Sequence, residues 1–352
     1  MAKKKSKIDT QIDSIERAVL DKYGDNVLTS GQSVVDSPSS VLPVSPGLDI
    51  ILGGGIPEGS FVIVTGPPKV GKTTLCLDFA STAQKIKHAC DIGRKEGRHV
   101  YYSNIEGRIK KRDLEGIHGL DISPDKLTII QSTPGNILTA EMHIGIVLDL
   151  LNKRPGDIFI IDSLSALCTE GEMKAEIGDR YRADAPQLLA RFCRRIATIV
   201  PINKSIVFGI THIIANQGNG MSPWSEASGR KVQYQTDVKL KATHCKPWVV
   251  GENQIGQDVF WVAEVNALNA PRNGKFISKL RYGYGLDKPS EIITLAVDLS
   301  MVKKGGSWYT FNVGETDETK CQGLDKAAEY LTKNTDLYDS LYKNIRIAMG
   351  LD

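Results

Sequence analysis

The chain has 352 residues and an ordinary composition for a soluble globular protein, with 41% hydrophobic and 24% charged residues. No run of 18 or more apolar residues occurs and the basic N-terminus lacks an apolar signal core, so neither a transmembrane helix nor a secretory signal is predicted. The formal net charge of +3 neither demands nor excludes nucleic acid, because such binding needs a local basic stripe.

Six cysteines are scattered along the chain without a C-x-x-C pair. This spacing argues against a disulfide framework and against a zinc site. It favours a reducing compartment, so we expect a cytoplasmic protein. Because no transmembrane helix is predicted, no membrane partner is expected.

The first segment places apolar side chains at steps of three and four, which predicts one amphipathic helix. These positions are Ile8, Ile12, Ile15, Val19 and Tyr23. A stretch rich in serine and proline follows, so residues 1–46 are assigned to a helix and a linker. A lone helix cannot bury its own apolar stripe. It must therefore fold back onto the core or pack on another subunit.

From about residue 47, short apolar runs alternate with helical patterns. Runs such as FVIVTG, IFIIDSL and SIVFGIT are almost continuously apolar, as buried parallel strands are. The alternation predicts an α/β fold in which helices flank a mostly parallel central sheet. Further strands after about Val232 extend the sheet in antiparallel fashion, and this core spans residues 47–286. Residues 287–352 are predicted to form a small α/β C-terminal domain.

The segment GPPKVGKTT fits the P-loop pattern, and it lies between an apolar strand and a helical pattern. Its glycines let backbone N–H groups face phosphates, and the helix N-terminus adds positive potential. We expect Lys72 to bridge the terminal phosphates of ATP and Thr73 to ligate Mg²⁺. The predicted nucleotide-binding residues of this loop are Gly66, Pro67, Pro68, Lys69, Val70, Gly71, Lys72, Thr73 and Thr74.

Three polar residues at predicted strand ends complete the candidate site. Asp162 ends the run IFIID and suits a Walker-B aspartate that holds Mg²⁺. Glu106 ends the strand of YYSNIE and is placed to orient an attacking water, although such a residue taken alone is more often a surface carboxylate. His212 ends SIVFGITH, where it either senses the γ-phosphate or caps the strand.

The ordered set of motifs resembles the bacterial RecA recombinase family over nearly the whole chain. It comprises PGLDIILGGGIPEG, the P-loop, Glu106, IIDSLSAL, AEIGD, the loop after GITH, and GGSWYTF. The small size and divergent loops resemble a bacteriophage version of the UvsX sort. The resemblance implies a RecA-like P-loop ATPase core that uses ATP and Mg²⁺. It implies helical self-assembly on single-stranded DNA, strand exchange with homologous duplex, and single-strand-binding or mediator proteins as further partners. It also assigns the water-orienting role to Glu106.

The resemblance further implies which residues contact DNA and neighbouring subunits. The N-terminal helix would pack on the next subunit through Ile12, Ile15 and Val19, and Tyr234 would lie at the same kind of interface. Two DNA-binding loops are expected at about residues 172–182 and 214–230. The implied DNA-binding residues are Arg180, Tyr181, Arg182, Arg194, Met221, Trp224, Ser228, Gly229 and Arg230.

Trp224 is a large apolar side chain in the middle of the otherwise polar segment IANQGNGMSPWSEASGR. An aromatic ring can stack on bases regardless of their identity, which suits a protein whose specificity comes from base pairing. The alternative is that Trp224 packs against the core or a neighbouring subunit. A mobile loop with Met221 beside the tryptophan is expected in the first case.

The sequence departs from the family at three places. Two lysines that reach the neighbour's ATP are replaced by Val265 and Ala267. Arg272, Lys275 or a bound cation are the candidate substitutes, and without one of them hydrolysis across the interface would be weak. Basic residues that hold the incoming duplex are missing, and the candidates to replace them are Lys239, Lys241 and Lys246. No aromatic residue that would stack on adenine is evident.

Two other functions share this core. A ring-forming DNA helicase would need a larger N-terminal domain. An ATP-binding recombination mediator or scaffold with weak turnover would be consistent with the missing lysines.

Overall fold

The computed structural model describes residues 7–24, 27–37, 40–88, 97–176, 184–215, 224–226, 232, 234–268, 270–312 and 318–351. The chain divides into two compact units, residues 1–39 and 40–352. The first unit holds α1 (Lys7–Tyr23) and the short α2 (Gly31–Val35). Helix α1 is followed by Gly24, whose φ of 100° lies in the left-handed region that terminates helices.

The second unit is built on a ten-stranded sheet, which confirms the predicted α/β fold. Its parallel strands are β3 (Phe61–Gly66), β4 (Val100–Asn104), β5 (Leu127–Ile130), β6 (Ile158–Asp162), β7 (Ile206–Ala215) and β9 (Val238–Val250). Its antiparallel strands are β8 (Trp224–Glu226), β10 (Asn253–Val265), β11 (Gly274–Arg281) and β12 (Gly285–Leu286). The order is β12-β11-β10-β9-β3-β7-β6-β4-β5, and β8 pairs with β7. A separate two-stranded ribbon joins β1 (Val41–Leu42) to β2 (Ile56–Pro57).

Helices cover both faces of the sheet. Strands such as β3 and β6 are therefore buried along their full length. One apolar layer includes α3 (Pro46–Leu52) and α4 (Lys72–Ala83). The opposite layer includes α6 (Ala140–Lys153) and α8 (Ala185–Asn203). Short helices α5 (Lys111–Glu115) and α7 (Glu170–Lys174) lie in the connections.

Within the segment predicted as a loop over residues 214–230, the described residues 214–215 and 224–226 lie in strands. Strand β7 extends to Ala215 rather than ending near His212, and β8 returns beside it with Ala215 opposite Trp224. Isoleucine, which occupies positions 213 and 214, has a high propensity for strands, and this favours the extension. The prediction of a loop throughout is therefore wrong for residues 224–226. The backbone there has a fixed antiparallel partner.

The C-terminal region forms a small domain with its own core. Helices α9 (Lys288–Asp298), α10 (Leu324–Lys333) and α11 (Thr335–Ala348) pack around an antiparallel sheet. That sheet joins β13 (Lys303–Gly305), β14 (Trp308–Phe311) and β15 (Thr319–Gln322). Ile293, Phe311, Leu331 and Ile345 are buried at its centre.

Two buried carboxyl groups lie where this domain meets the core. Asp49 Oδ2 accepts a hydrogen bond of 2.8 Å from the Tyr342 hydroxyl. Glu291 Oε2 accepts one of 3.0 Å from the backbone N–H of Gly47. Burial raises the pKa of Asp49 to about 7 and that of Glu291 to about 7. Both groups therefore favour the protonated state inside the fold.

We expect Glu291→Gln to reduce the pH dependence of stability. The folded pKa lies above the ordinary value of 4.5, so the stabilisation is complete below about pH 4.5 and is lost as the pH rises through about 7. The fall in unfolding free energy between about pH 5 and pH 8 should shrink by about 2 kcal/mol in the variant. Denaturant unfolding at both pH values measures this. Glu115→Gln, at an exposed position, is the matched control. Equal pH dependence in Glu291→Gln and the unmodified chain would contradict the prediction.

Candidate functional site

The P-loop joins β3 to α4 and has the backbone geometry that phosphate binding requires. Gly71 adopts a φ of 101° at the start of α4. This left-handed backbone conformation favours glycine, and the Leu280 side chain packs over the position, with its Cδ1 2.4 Å from where a Cβ would lie. The N–H groups of the first turn of α4 have no partners within the helix, which makes this turn suited to anions.

Lys72 supplies a buried positive charge within this loop. Its side chain lies at the first position of α4, and the residue is 5% exposed. Its Nζ donates hydrogen bonds to the carbonyl oxygens of Gly66 at 2.9 Å and Pro67 at 2.7 Å. Burial lowers the pKa of Lys72 to about 8, against the opposing charges of Asp162 and Glu106. The loop therefore holds an ammonium group beside the site that its own backbone forms.

Asp162 lies at the end of β6, directly beside the P-loop helix. One carboxylate oxygen, Oδ2, accepts hydrogen bonds from the Thr73 hydroxyl at 2.7 Å and from the Tyr102 hydroxyl at 2.5 Å. Burial raises the pKa of Asp162, although both hydrogen bonds act in the opposite direction. A carboxylate adjoining a hydroxyl is the oxygen donor set that Mg²⁺ prefers, so Thr73 and Asp162 fit this ion. Tyr102 was not identified from the sequence.

Four residues, on β7 and just beyond the ends of β4 and β6, form a closed ring of hydrogen bonds that includes a second carboxylate. Glu106 Oε1 lies 2.7 Å from His212 Nε2 and accepts a 2.8 Å hydrogen bond from the Ser163 hydroxyl. The Ser163 and Ser165 hydroxyl oxygens are 3.0 Å apart, and the backbone N–H of His212 donates to Ser165 at 3.3 Å. The ring therefore fixes Glu106 with respect to the neighbouring strands.

The same contacts keep Glu106 ionised. Partial burial raises the pKa of this carboxyl, but the hydrogen bonds from His212 and Ser163 and the charge of Arg108 outweigh it, so the net pKa is below its usual range. Since an ionised carboxylate only accepts hydrogen bonds, His212 Nε2 must carry the proton it shares. Sequence reasoning missed Ser163 and Ser165. The available signal was two hydroxyls at alternate positions directly after Asp162.

Most of the predicted DNA-binding side chains lie outside the described residues. These are Arg180, Tyr181, Arg182, Met221, Ser228, Gly229 and Arg230, and the side chain of Trp224 is likewise outside. Arg194 is exposed on α8, and the backbone of Trp224 lies in β8. The structure therefore describes Arg194 and the backbone of Trp224 among these residues.

The predicted interface residues show differing exposure. Ile15 of α1 is 58% exposed and Val19 is half-buried, whereas the side chain of Ile12 lies outside the described residues. Tyr234 is 83% exposed. Burial of these side chains by a neighbouring subunit stays a prediction.

Two of the three lysines proposed to hold duplex DNA are paired with a carboxylate of the neighbouring strand. Lys239 and Lys241 both pair with Glu264, at 2.9 Å and 3.0 Å. Lys239 is also buried, which argues against its candidate role in holding duplex DNA. Lys246 is exposed, and its Nζ lies 5.2 Å from the centre of the Phe260 ring.

Among the described residues, no helix is both long enough and apolar enough to cross a membrane.

The fold and this site define a P-loop nucleotide-binding core with a small C-terminal domain. The RecA N-terminal domain family matches residues 6–287, and the RecA C-terminal domain family matches residues 290–350. Curated relatives include Protein RecA of a Nitratiruptor species, 28% identical over 99% of this chain and 95% of the relative. Protein RecA of Lactobacillus johnsonii is 28% identical over 99% of this chain and 90% of the relative. Protein RecA of Campylobacter fetus is 27% identical over 99% of this chain and 94% of the relative.

The chain therefore belongs to the RecA family.

Proposed function

We propose that this protein is an ATP-dependent recombinase that forms helical filaments on single-stranded DNA and promotes strand exchange with homologous duplex. The observation that carries the proposal is the convergence of Lys72, Thr73, Asp162 and Glu106 at one edge of the sheet, where Thr73 donates to Asp162 and both carboxylates act on the charge of Lys72. Those groups provide a phosphate-binding cation, a magnesium donor set and a carboxylate base. The family membership supports the DNA partner. A phage origin stays a prediction.

In this proposal the P-loop binds the phosphates of ATP through backbone N–H groups and Lys72. Lys72 Nζ exchanges its hydrogen bonds to the Gly66 and Pro67 carbonyls for phosphate oxygens. Thr73 and Asp162 would hold a Mg²⁺ ion, and that ion would neutralise charge that develops on the phosphates. Glu106 accepts a hydrogen bond from the attacking water and orients its lone pair toward the γ-phosphorus.

His212 offers a route by which nucleotide and DNA binding affect one another. It holds Glu106 through its side chain, and it lies on β7, three residues before Ala215. Strand β7 then continues into pairing with β8, which carries Trp224. A shift of His212 on γ-phosphate binding would therefore move the strand that leads into the predicted second DNA loop.

Adenine binding is assigned to the turn after β11. The turn follows Leu280 of β11, whose side chain packs against Gly71 of the P-loop. It carries Tyr282, which is 52% exposed and whose hydroxyl accepts a 2.9 Å hydrogen bond from Gln254. An exposed ring fixed in this way can stack on a planar base.

The test is ATP hydrolysis by the purified chain with and without single-stranded DNA, together with electron microscopy of the same samples. Strong stimulation by single strands, with helical filaments in ATP but not in ADP, is the expected result. Duplex DNA of the same length is the matched control and should stimulate less. Closed hexamers that unwind duplex would instead identify a helicase and overturn the proposal.

A second candidate function is an ATP-binding scaffold with weak turnover. Val265 and Ala267, where the family carries lysines that reach the neighbour's ATP, favour it. Tight ATP binding without DNA-stimulated hydrolysis is the outcome that would establish it.

A further inference from the structure

Tyr102 contacts the candidate magnesium site through its hydroxyl, and this contact has no role in the proposed function. The residue lies on β4 and is 2% exposed. Its hydroxyl donates a 2.5 Å hydrogen bond to Asp162 Oδ2 across the boundary between β4 and β6. A buried phenol is stable only where its O–H has a partner, and here that partner is the carboxylate of the candidate magnesium site.

The two donors to Asp162 Oδ2 differ in what they must do when a magnesium–nucleotide complex binds. Thr73 donates to this oxygen from the start of α4 at 2.7 Å, and its own oxygen is a candidate magnesium ligand. Tyr102 is fixed by strand packing: its backbone lies opposite Ile160 of β6 and Ile129 of β5. The Tyr102 hydroxyl can therefore hold the carboxylate in one orientation while Thr73 turns toward the ion.

We propose that Tyr102 is a positioning residue that orients the Asp162 carboxylate for Mg²⁺ bound with ATP. Its hydroxyl donates to one lone pair of Asp162 Oδ2. The other lone pairs of the carboxylate are then left to face the P-loop and the ion. Groups that orient metal-binding carboxylates in this way typically change metal affinity by about 10- to 100-fold when they are removed. The inference rests on the proposed ATP site.

Tyr102→Phe isolates the hydroxyl, because the ring and its packing volume are retained. Fluorescent N-methylanthraniloyl-ATP is titrated at increasing Mg²⁺ concentrations without DNA. The Mg²⁺ concentration for half-maximal binding should rise about tenfold, and excess Mg²⁺ should restore binding. Nucleotide affinity in EDTA should equal that of the unmodified chain.

Tyr101→Phe is the matched control. Tyr101 is the adjacent residue of the same strand, is 5% exposed, and stacks on Phe159 in the opposite apolar layer. Its change should leave the Mg²⁺ dependence unaltered. Adding Tyr102→Phe to Asp162→Asn should have no further effect, because the hydroxyl acts through that carboxylate.

Two results are distinguishable. Unchanged Mg²⁺ dependence in Tyr102→Phe, with or without a lower midpoint of thermal unfolding, would overturn the positioning role and leave Tyr102 a packing residue. Absence of Mg²⁺-dependent nucleotide binding in the unmodified chain would overturn the proposed ATP site itself.

Discussion

Lys72→Ala is expected to weaken ATP binding about 100-fold or more. The reason is the position of the ammonium group, which is buried inside the P-loop and hydrogen-bonded to the carbonyls of Gly66 and Pro67. These contacts hold Nζ inside the loop, within reach of phosphate oxygens bound there, and alanine removes both the charge and the donors. Equilibrium titration with fluorescent ATP measures the change. DNA binding that depends on ATP should be lost in parallel.

Lys85→Ala is the matched control for Lys72→Ala. Lys85 is exposed and follows the C-cap of the same helix, Gln84, at the end remote from the P-loop. The Lys85→Ala change removes the same charge without altering the P-loop, so ATP affinity should stay close to that of the unmodified chain. Filaments that form normally on single-stranded DNA with ATP in Lys72→Ala would refute the P-loop assignment.

Glu106→Gln is expected to reduce ATP hydrolysis about 100-fold or more while leaving ATP binding intact. The amide keeps the size of the side chain but cannot orient a water as a base. Its oxygen can still accept from Ser163 or His212, so the ring of contacts around it survives in part. Phosphate release during steady-state hydrolysis and fluorescent ATP binding are measured on the same preparation.

Glu115→Gln is the matched control for this change. Glu115 is 53% exposed at the side chain and pairs with Lys111 on α5, away from the sheet edge. An exposed ion pair of this kind contributes little to stability, and Glu115 is not part of the candidate site, so hydrolysis should be unaffected. Hydrolysis at the unmodified rate in Glu106→Gln would remove Glu106 as the group that orients water and would leave it a structural acceptor for Ser163.

Most residues of the candidate nucleotide site could be predicted because they belong to contiguous sequence motifs. The P-loop is nine consecutive residues, and the geometry of a strand, a tight turn and a helix is local to those residues. The aspartate at the end of an apolar run was likewise recognisable, because a buried strand ends where its first charged residue appears. Alternation of strands with helices was sufficient for the α/β class.

The contacts among strand ends could not be predicted in this way, because they depend on strand order. Asp162 meets Tyr102 because β6 lies between β4 and β7, an order that the alternation of elements leaves open. The ring around Glu106 needs the same three strands side by side. The same limit applies to Lys239, which is basic in sequence but is buried in an ion pair with a residue of the adjacent strand.

The sequence by itself determined the class of core, and it identified the candidate phosphate-binding loop and the two carboxylates of the candidate site. The tertiary structure decided which neighbours orient them. Tyr101 and Tyr102 are adjacent and chemically identical, and only the facing of β4 within the sheet directs Tyr102 to Asp162 and Tyr101 to Phe159. Successive side chains of a strand point to opposite faces, so one residue of register separates a residue of the site from a residue of the core.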